Sequence, residues 1–131
     1  MTSTPMLKTI SPFFVVERAV ESVDFYCKKL GFVVDTLKPD QNPFFAIVRR
    51  DGVVILLKEI SADIPPIPNS AQHEWARWDA LIMCSDPDAL YSEYQSEGVQ
   101  IHKPLENTDD GLRAFEIKDN SGYVLCFARL L

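Results

Sequence analysis

The chain has 131 residues, 47% of them apolar, and a formal net charge of −6. This suffices for one ordinary globular domain and excludes a disordered chain. No apolar run reaches the ~18–20 residues of a membrane span, and the longest basic runs are Lys28-Lys29 and Arg49-Arg50, which argues against a membrane anchor and against a nucleic-acid partner.

The start, Met1 to Pro5, lacks the basic region and apolar stretch of a secretory signal, so a cytoplasmic location is expected. The cysteines Cys27, Cys84 and Cys126 are odd in number and widely spaced. They read as small buried side chains rather than a disulfide framework. The run 10–16 is strand-like, with Pro12 suited to an edge or a strand start. Val20, Val23, Cys27 and Leu30 recur at helical spacing, and Gly31 is the stop signal. Phe32 to Val34 resumes an extended run. The runs 44–48 and 53–57 flank Asp51-Gly52, a hairpin signal. The order is strand, helix, three strands.

The segment 61–77 carries Pro65, Pro66 and Pro68 and reads as a linker loop. The same order then returns. A strand covers 78–84, and Ser85 or Asp86 caps a helix with Pro87 in its first turn. Leu90, Tyr91 and Tyr94 give that helix an apolar side, and Gly98 ends it. A short extended run 99–101 follows. The runs 112–117 and 123–127 flank Asp119-Asn120-Ser121-Gly122. The expected architecture is α+β. Two tandem βαβββ units, 8–60 and 78–131, lie in a single domain 1–131, with helices on the outer face of a curved mixed sheet that encloses a cavity.

At this point the residues resemble a known family. Phe25-Tyr26 with Leu30-Gly31-Phe32, then Asp86-Pro87-Asp88-Ala89-Leu90, then Asp119-Asn120-Ser121-Gly122-Tyr123 occur in the order seen in the vicinal oxygen chelate superfamily. That superfamily includes glyoxalase I, extradiol dioxygenases, fosfomycin-resistance transferases and bleomycin-resistance proteins. The likeness runs from about residue 8 to the end. It is nearest the bleomycin-resistance branch: Phe45 to Arg50 is similar to that branch's third strand, and Arg113 to Asp119 to its Arg-Glu-Phe strand, with Ala114 in place of the Glu. Pro12 falls where those proteins carry a proline that accompanies exchange of the N-terminal strand. The resemblance therefore implies a homodimer.

Metal-dependent members hold their ion with His or Gln, Glu, His and Glu on the first and last strands of each unit. Those addresses fall here on Ser11, Leu56, Asp79 and Cys126. Leu56 cannot ligate and a neutral serine hydroxyl is a poor donor, while a catalytic site needs three or four good ones. A set of His73, Asp79 and Cys126 is the alternative. No catalytic triad, phosphate loop or activated nucleophile stands out. The expectation is no metal, no cofactor and no catalytic residue. A small aromatic or cationic ligand would instead be sequestered by a dimer in the manner of an antibiotic-resistance protein. The rival is a metal-dependent lyase or dioxygenase with an atypical ligand set.

Strand alternation extends these addresses into a candidate site. Ser11 brings Phe13 to the cavity. Pairing across Asp51-Gly52 sets Ile47 opposite Leu56 and Phe45 opposite Lys58. Asp79 brings Leu81. A regular second hairpin sets Cys126 opposite Phe115, with Arg113 beside it. Trp75 and Trp78 lie at the mouth.

Overall fold

The computed structural model describes residues 3–131, so the first two residues of the Met1 to Pro5 start lie outside the described residues. The first unit runs β1 (Phe13–Val16), α1 (Ala19–Lys28), β2 (Val33–Lys38), β3 (Phe45–Arg50) and β4 (Val53–Glu59). After a single 3-10 turn, Asn69–Ala71, the second runs β5 (Ala80–Met83), α2 (Pro87–Ser96), β6 (Ile101–Asn107), β7 (Leu112–Lys118) and β8 (Val124–Leu130). Each unit forms its own four-stranded mixed sheet, in the orders β1-β4-β3-β2 and β5-β8-β7-β6. In both, the first strand lies parallel to the last and the other pairs are antiparallel. The repeated βαβββ reading therefore holds.

The helix ends have local causes. Asp86 caps α2 by accepting a hydrogen bond from the Ala89 amide at 3.0 Å, with Pro87 in the first turn. Arg18 offers α1 no side-chain cap; the carboxylate of Glu59, at the end of β4, accepts the Ala19 amide hydrogen bond at 2.9 Å instead. Gly31 follows α1 at φ +78°, a conformation that favours glycine. The Arg50 guanidinium nitrogen would lie 2.7 Å from a Cβ placed there.

The apolar stripe expected along α1 packs inward at Val23, Cys27 and Leu30, whereas Val20 is 41% exposed. The fully buried positions within the helix are Ala19, Ser22 and Tyr26, and the Tyr26 hydroxyl donates to the Asp119 carboxylate at 2.7 Å. Several strands also differ in extent. β1 begins at Phe13 rather than at residue 10, β2 continues to Lys38, and β6 reaches Asn107 with irregular pairing around Pro104.

One face of each sheet carries the core. Phe14, Val16, Ala46, Val48, Ile55 and Leu57 join Tyr26 and Leu30 of the first unit with Tyr94, Phe115, Ile117, Leu125 and Phe127 of the second in one buried cluster. The units thus meet through their helix-covered sides. Arg50 of β3 donates to Glu93 of α2 at 2.6 Å and to the Leu30 carbonyl at 2.8 Å, and the Tyr94 hydroxyl donates to that same carbonyl at 3.0 Å. On the other side of the junction, Tyr123 stacks on Phe14 with ring centroids 4.2 Å apart. The other face of the first sheet is half-exposed, whereas on the second sheet Leu112, Ala114, Cys126 and Ala128 are buried, with Trp78 packed against them. Among the described residues no helix is long and apolar enough to cross a membrane.

Candidate functional site

The faces away from the helices are where the strand alternation places most candidate residues. On the first sheet, Leu56 pairs with Phe13 on one side and Ile47 on the other, and Phe45 pairs with Lys58. The burial of β3 alternates, with Ala46 and Val48 buried and Phe45 and Ile47 half-buried. Phe13, at the edge, is 56% exposed. Phe13, Leu56, Ile47 and Phe45 therefore form one apolar strip open to a second layer.

On the second sheet, Cys126 pairs with Leu81 and Glu116. Leu112, Ala114, Cys126 and Ala128 form a small buried cluster separate from the main core, and Trp78 packs against it. Arg77 lies over the Trp78 ring, 4.4 Å from its centroid, and reaches Asp110 at 3.5 Å. Burial, helped by the nearby Glu116 carboxylate, pushes the Cys126 thiol up to about 11. It stays protonated near neutral pH and is a poor nucleophile.

Two expected members sit elsewhere. The structure sets Glu116, not Phe115, opposite Cys126, and pairs Phe115 with Phe127. Phe115 is consequently buried on the helix side, 5.1 Å from the Tyr91 ring and stacked on Phe127 at 5.3 Å. Arg113 points the same way, and its guanidinium donates to Asp88 of α2 at 2.9 and 3.1 Å. The cause is the turn. The Asp119 carboxylate accepts hydrogen bonds from the Ser121 and Tyr123 amides, both at 2.9 Å, which draws Tyr123 into the loop and makes Lys118–Val124 the first pair. A register change of one residue exchanges the two faces of a strand. Glu116, absent from the sequence-based set, takes the position expected for Phe115. Its signal in the sequence was an acid in line with Leu112 and Ala114 at strand spacing. Trp75 is apart from both faces, 82% exposed in the linker with an edge contact to His73.

The four metal addresses do not make a donor set. Ser11 is exposed and precedes β1, and Leu56 has no donor atom. Both carboxylate oxygens of Asp79 are taken, accepting from the Asn69 amide at 2.7 Å and the Val124 amide at 2.8 Å. The Cys126 thiol is held protonated. His73 accepts from the Trp75 amide through Nδ1, and among the described residues no three His, Cys, Asp or Glu side chains converge. These residues do not fit a catalytic metal ion.

Two larger hollows flank the unit junction. One, about 520 Å³, lies between β1, the linker and Asp79 and includes the Phe13 ring. The other, about 600 Å³, lies between the Asp51-Gly52 turn and α2, with Val53, Ile82 and Tyr94 in its wall. Val53 lines the second hollow where the first has Tyr123, whose ring stacks on Phe14.

The comparisons with known proteins agree with this geometry. The chain is similar to TioX from Micromonospora sp. ML1, with 17% identity, a TM-score of 0.73 and coverage of 95% of this chain and 99% of that one. It is similar to TnmS3, an antibiotic binding protein from Streptomyces sp. CB03234, with 21% identity, a TM-score of 0.69 and coverage of 97% and 100%. A bleomycin-binding protein complexed with bleomycin gives 16% identity, a TM-score of 0.73 and coverage of 95% and 100%. No curated protein matches the sequence. At these identities the likeness is one of fold. The sequence profile of the Glyoxalase/Bleomycin resistance protein/Dioxygenase superfamily matches residues 9–127. With its two βαβββ units and that match over nearly its full length, the chain belongs to the glyoxalase/bleomycin resistance protein/dioxygenase superfamily.

Proposed function

We propose that this protein is a metal-free small-molecule binder that sequesters an aromatic or cationic compound in a homodimer, each cavity enclosed by an open sheet face from either subunit. The observation that carries the reading is the chemistry at the family's metal addresses. Phe13, Ile47 and Leu56 on one sheet and Trp78, Leu81 and Cys126 on the other offer apolar and aromatic contact where a metalloenzyme needs donors. Ligand sites are mostly apolar walls with few polar groups. Aromatic rings stack on flat or cationic ligands. That solved structures of the same fold include antibiotic-binding and bleomycin-binding proteins supports this reading. Asp79, by contrast, serves the fold: it ties the linker to the start of β8.

Thermal denaturation against a panel of cationic drugs and aromatic metabolites tests the proposal, because a ligand of the native state raises its melting temperature by mass action. Stabilisation by at least one such compound, unchanged by a chelator, is expected. One tightly held zinc, iron or manganese ion per chain, with turnover that chelation abolishes, would overturn it.

A further inference from the structure

The hollow of about 600 Å³ between the Asp51-Gly52 turn and α2 lies apart from the open sheet faces. Both units build it, and hydrogen bonds across the junction hold its walls together. Arg50 of β3 donates to Glu93 of α2 at 2.6 and 3.1 Å, and the Tyr94 hydroxyl donates to the Leu30 carbonyl at 3.0 Å. The space is therefore formed within a single chain, and its size falls in the range of small-molecule sites, ~300–1,000 Å³.

The lining indicates what fits there. The rings of its floor, Phe32, Tyr94 and Phe127, are 4%, 0% and 3% exposed, so they offer little face for stacking. Val53, Ile82 and Leu90 are half-buried and Met83 is exposed, so the contact on offer is aliphatic. The first sheet's open face differs, since it presents the Phe13 and Phe45 rings. Charge completes the description. The carboxylates of Asp51, Asp86 and Glu93 share the hollow with one guanidinium, that of Arg50, which the two-pronged bridge to Glu93 neutralises. Asp86 caps α2 through one oxygen. Among the described residues no ion pair joins Asp51 or Asp86 to a cationic side chain. A concave site with an apolar floor and carboxylates of one sign at its rim raises the local concentration of cations.

We propose that this hollow is a second binding site, one that takes an aliphatic amine as its ammonium ion. The hydrocarbon body packs on Val53, Ile82 and Leu90, and the charge turns toward the Asp51 and Asp86 carboxylates. The site needs neither a second subunit nor an aromatic ligand, so it stands or falls apart from the shared cavity.

The probes are cyclohexylmethylamine, a cation near neutral pH, and cyclohexylmethanol, a neutral molecule of like shape. Heteronuclear NMR titration of the full chain reads both affinity and place. Shifts should gather on the amides of Gly52, Val53, Ile82 and Ala89, with the amine bound about three- to fivefold tighter at low salt. That margin is the worth of an exposed ion pair, and it should shrink as salt is added. Asp51→Asn combined with Asp86→Asn should abolish the preference and leave the affinity for the alcohol within about twofold. Asparagine keeps both backbone roles, because it tolerates the φ of +50° at position 51 and caps a helix as well as aspartate does. Val53→Tyr, which gives this hollow the residue type found in the other, should weaken both probes at least about tenfold. Ala89→Phe, at an exposed position on the α2 wall, should do the same, so the test does not hang on the folding of one variant. Shifts that gather on the open sheet faces, equal affinity for the two probes, or a preference that survives the double asparagine variant overturn the site. So do undiminished binding in both filling variants and a native chain that binds neither probe. The shared-cavity reading survives each of these results.

Discussion

Asp119 illustrates how one side chain shapes both the stability and the face that a ligand meets. Burial pushes its carboxyl up to about 6, against the lowering effect of hydrogen bonds from Tyr26 and the turn amides. The folded chain thus holds this proton more tightly than the unfolded chain does. Its contribution to stability is full below about pH 4 and is lost as pH rises through about 6. Urea titrations across this window should show Asp119→Asn flattening the decline, by up to ~3 kcal/mol between the ends. Parallel pH profiles for the two proteins would refute this. The phenylalanines at 13 and 115 separate in the same way by environment. Phe115→Ala, in the buried aromatic cluster, should cost ~3–5 kcal/mol of stability. Phe13→Ala, at a half-open edge, should stay within ~1 kcal/mol and instead lower ligand-induced stabilisation. Denaturant midpoints with and without a bound panel compound read both effects.

At the scale of elements, the order of strands and helices was legible because Gly31, Gly98 and Asp51-Gly52 punctuate it with backbone chemistry that few other residues supply. The first hairpin's register was legible for the same reason: a two-residue turn leaves one way to pair Ile47 with Leu56 and Phe45 with Lys58. The second hairpin was not, because its register depends on the Asp119 side chain binding two amides beyond it. Nothing in the strand pattern records that contact. It moved Phe115 and Arg113 to the helix side and brought Glu116 to the open face. On α1 the stripe of Val23, Cys27 and Leu30 was legible, but the buried Tyr26 was not, because its partner Asp119 lies 93 residues away. The helix stops allow a direct test. Gly31 and Gly98 both have φ near +75°, at +78° and +74°. A Cβ at Gly98 meets only the Lys29 ammonium at 3.9 Å, whereas one at Gly31 displaces the Arg50 guanidinium from Leu30 and Glu93. Both alanine variants should lose ~1 kcal/mol for the backbone. Gly31→Ala should lose a further ~1–2 kcal/mol for the broken bridge. Equal losses in chemical denaturation would show that the bridge does not couple the units.

For the whole molecule, the decisive question is what covers the open faces. Each helix covers one face of its own unit's sheet, and the Phe13, Ile47 and Leu56 strip on the other face of the first sheet is the more exposed of the two. β1 and β5 each end their sheet, and edges of this kind invite pairing with another chain. Around them lie apolar side chains with unusual exposure: Leu7 at 100%, Ile10 at 96%, Phe13 at 56%, Met83 at 50% and Leu81 at 45%. Contiguous apolar exposure marks an interaction surface. In a symmetric pair, one subunit's first sheet can lie against the other's second, which creates two equivalent cavities at once. Exchange of the segment before β1 would cover Leu7 and Ile10 as well. Sedimentation equilibrium should therefore give twice the chain mass. Leu81→Glu, which sets a charge on the open face beside Cys126, should give the single-chain mass with the circular dichroism spectrum retained. The monomer should also lose ligand-induced stabilisation, since each half-cavity then faces water. A native chain that sediments as a monomer, or a Leu81→Glu monomer that is stabilised by the panel compounds as strongly as the native protein, would place the whole site within one subunit and defeat the shared cavity.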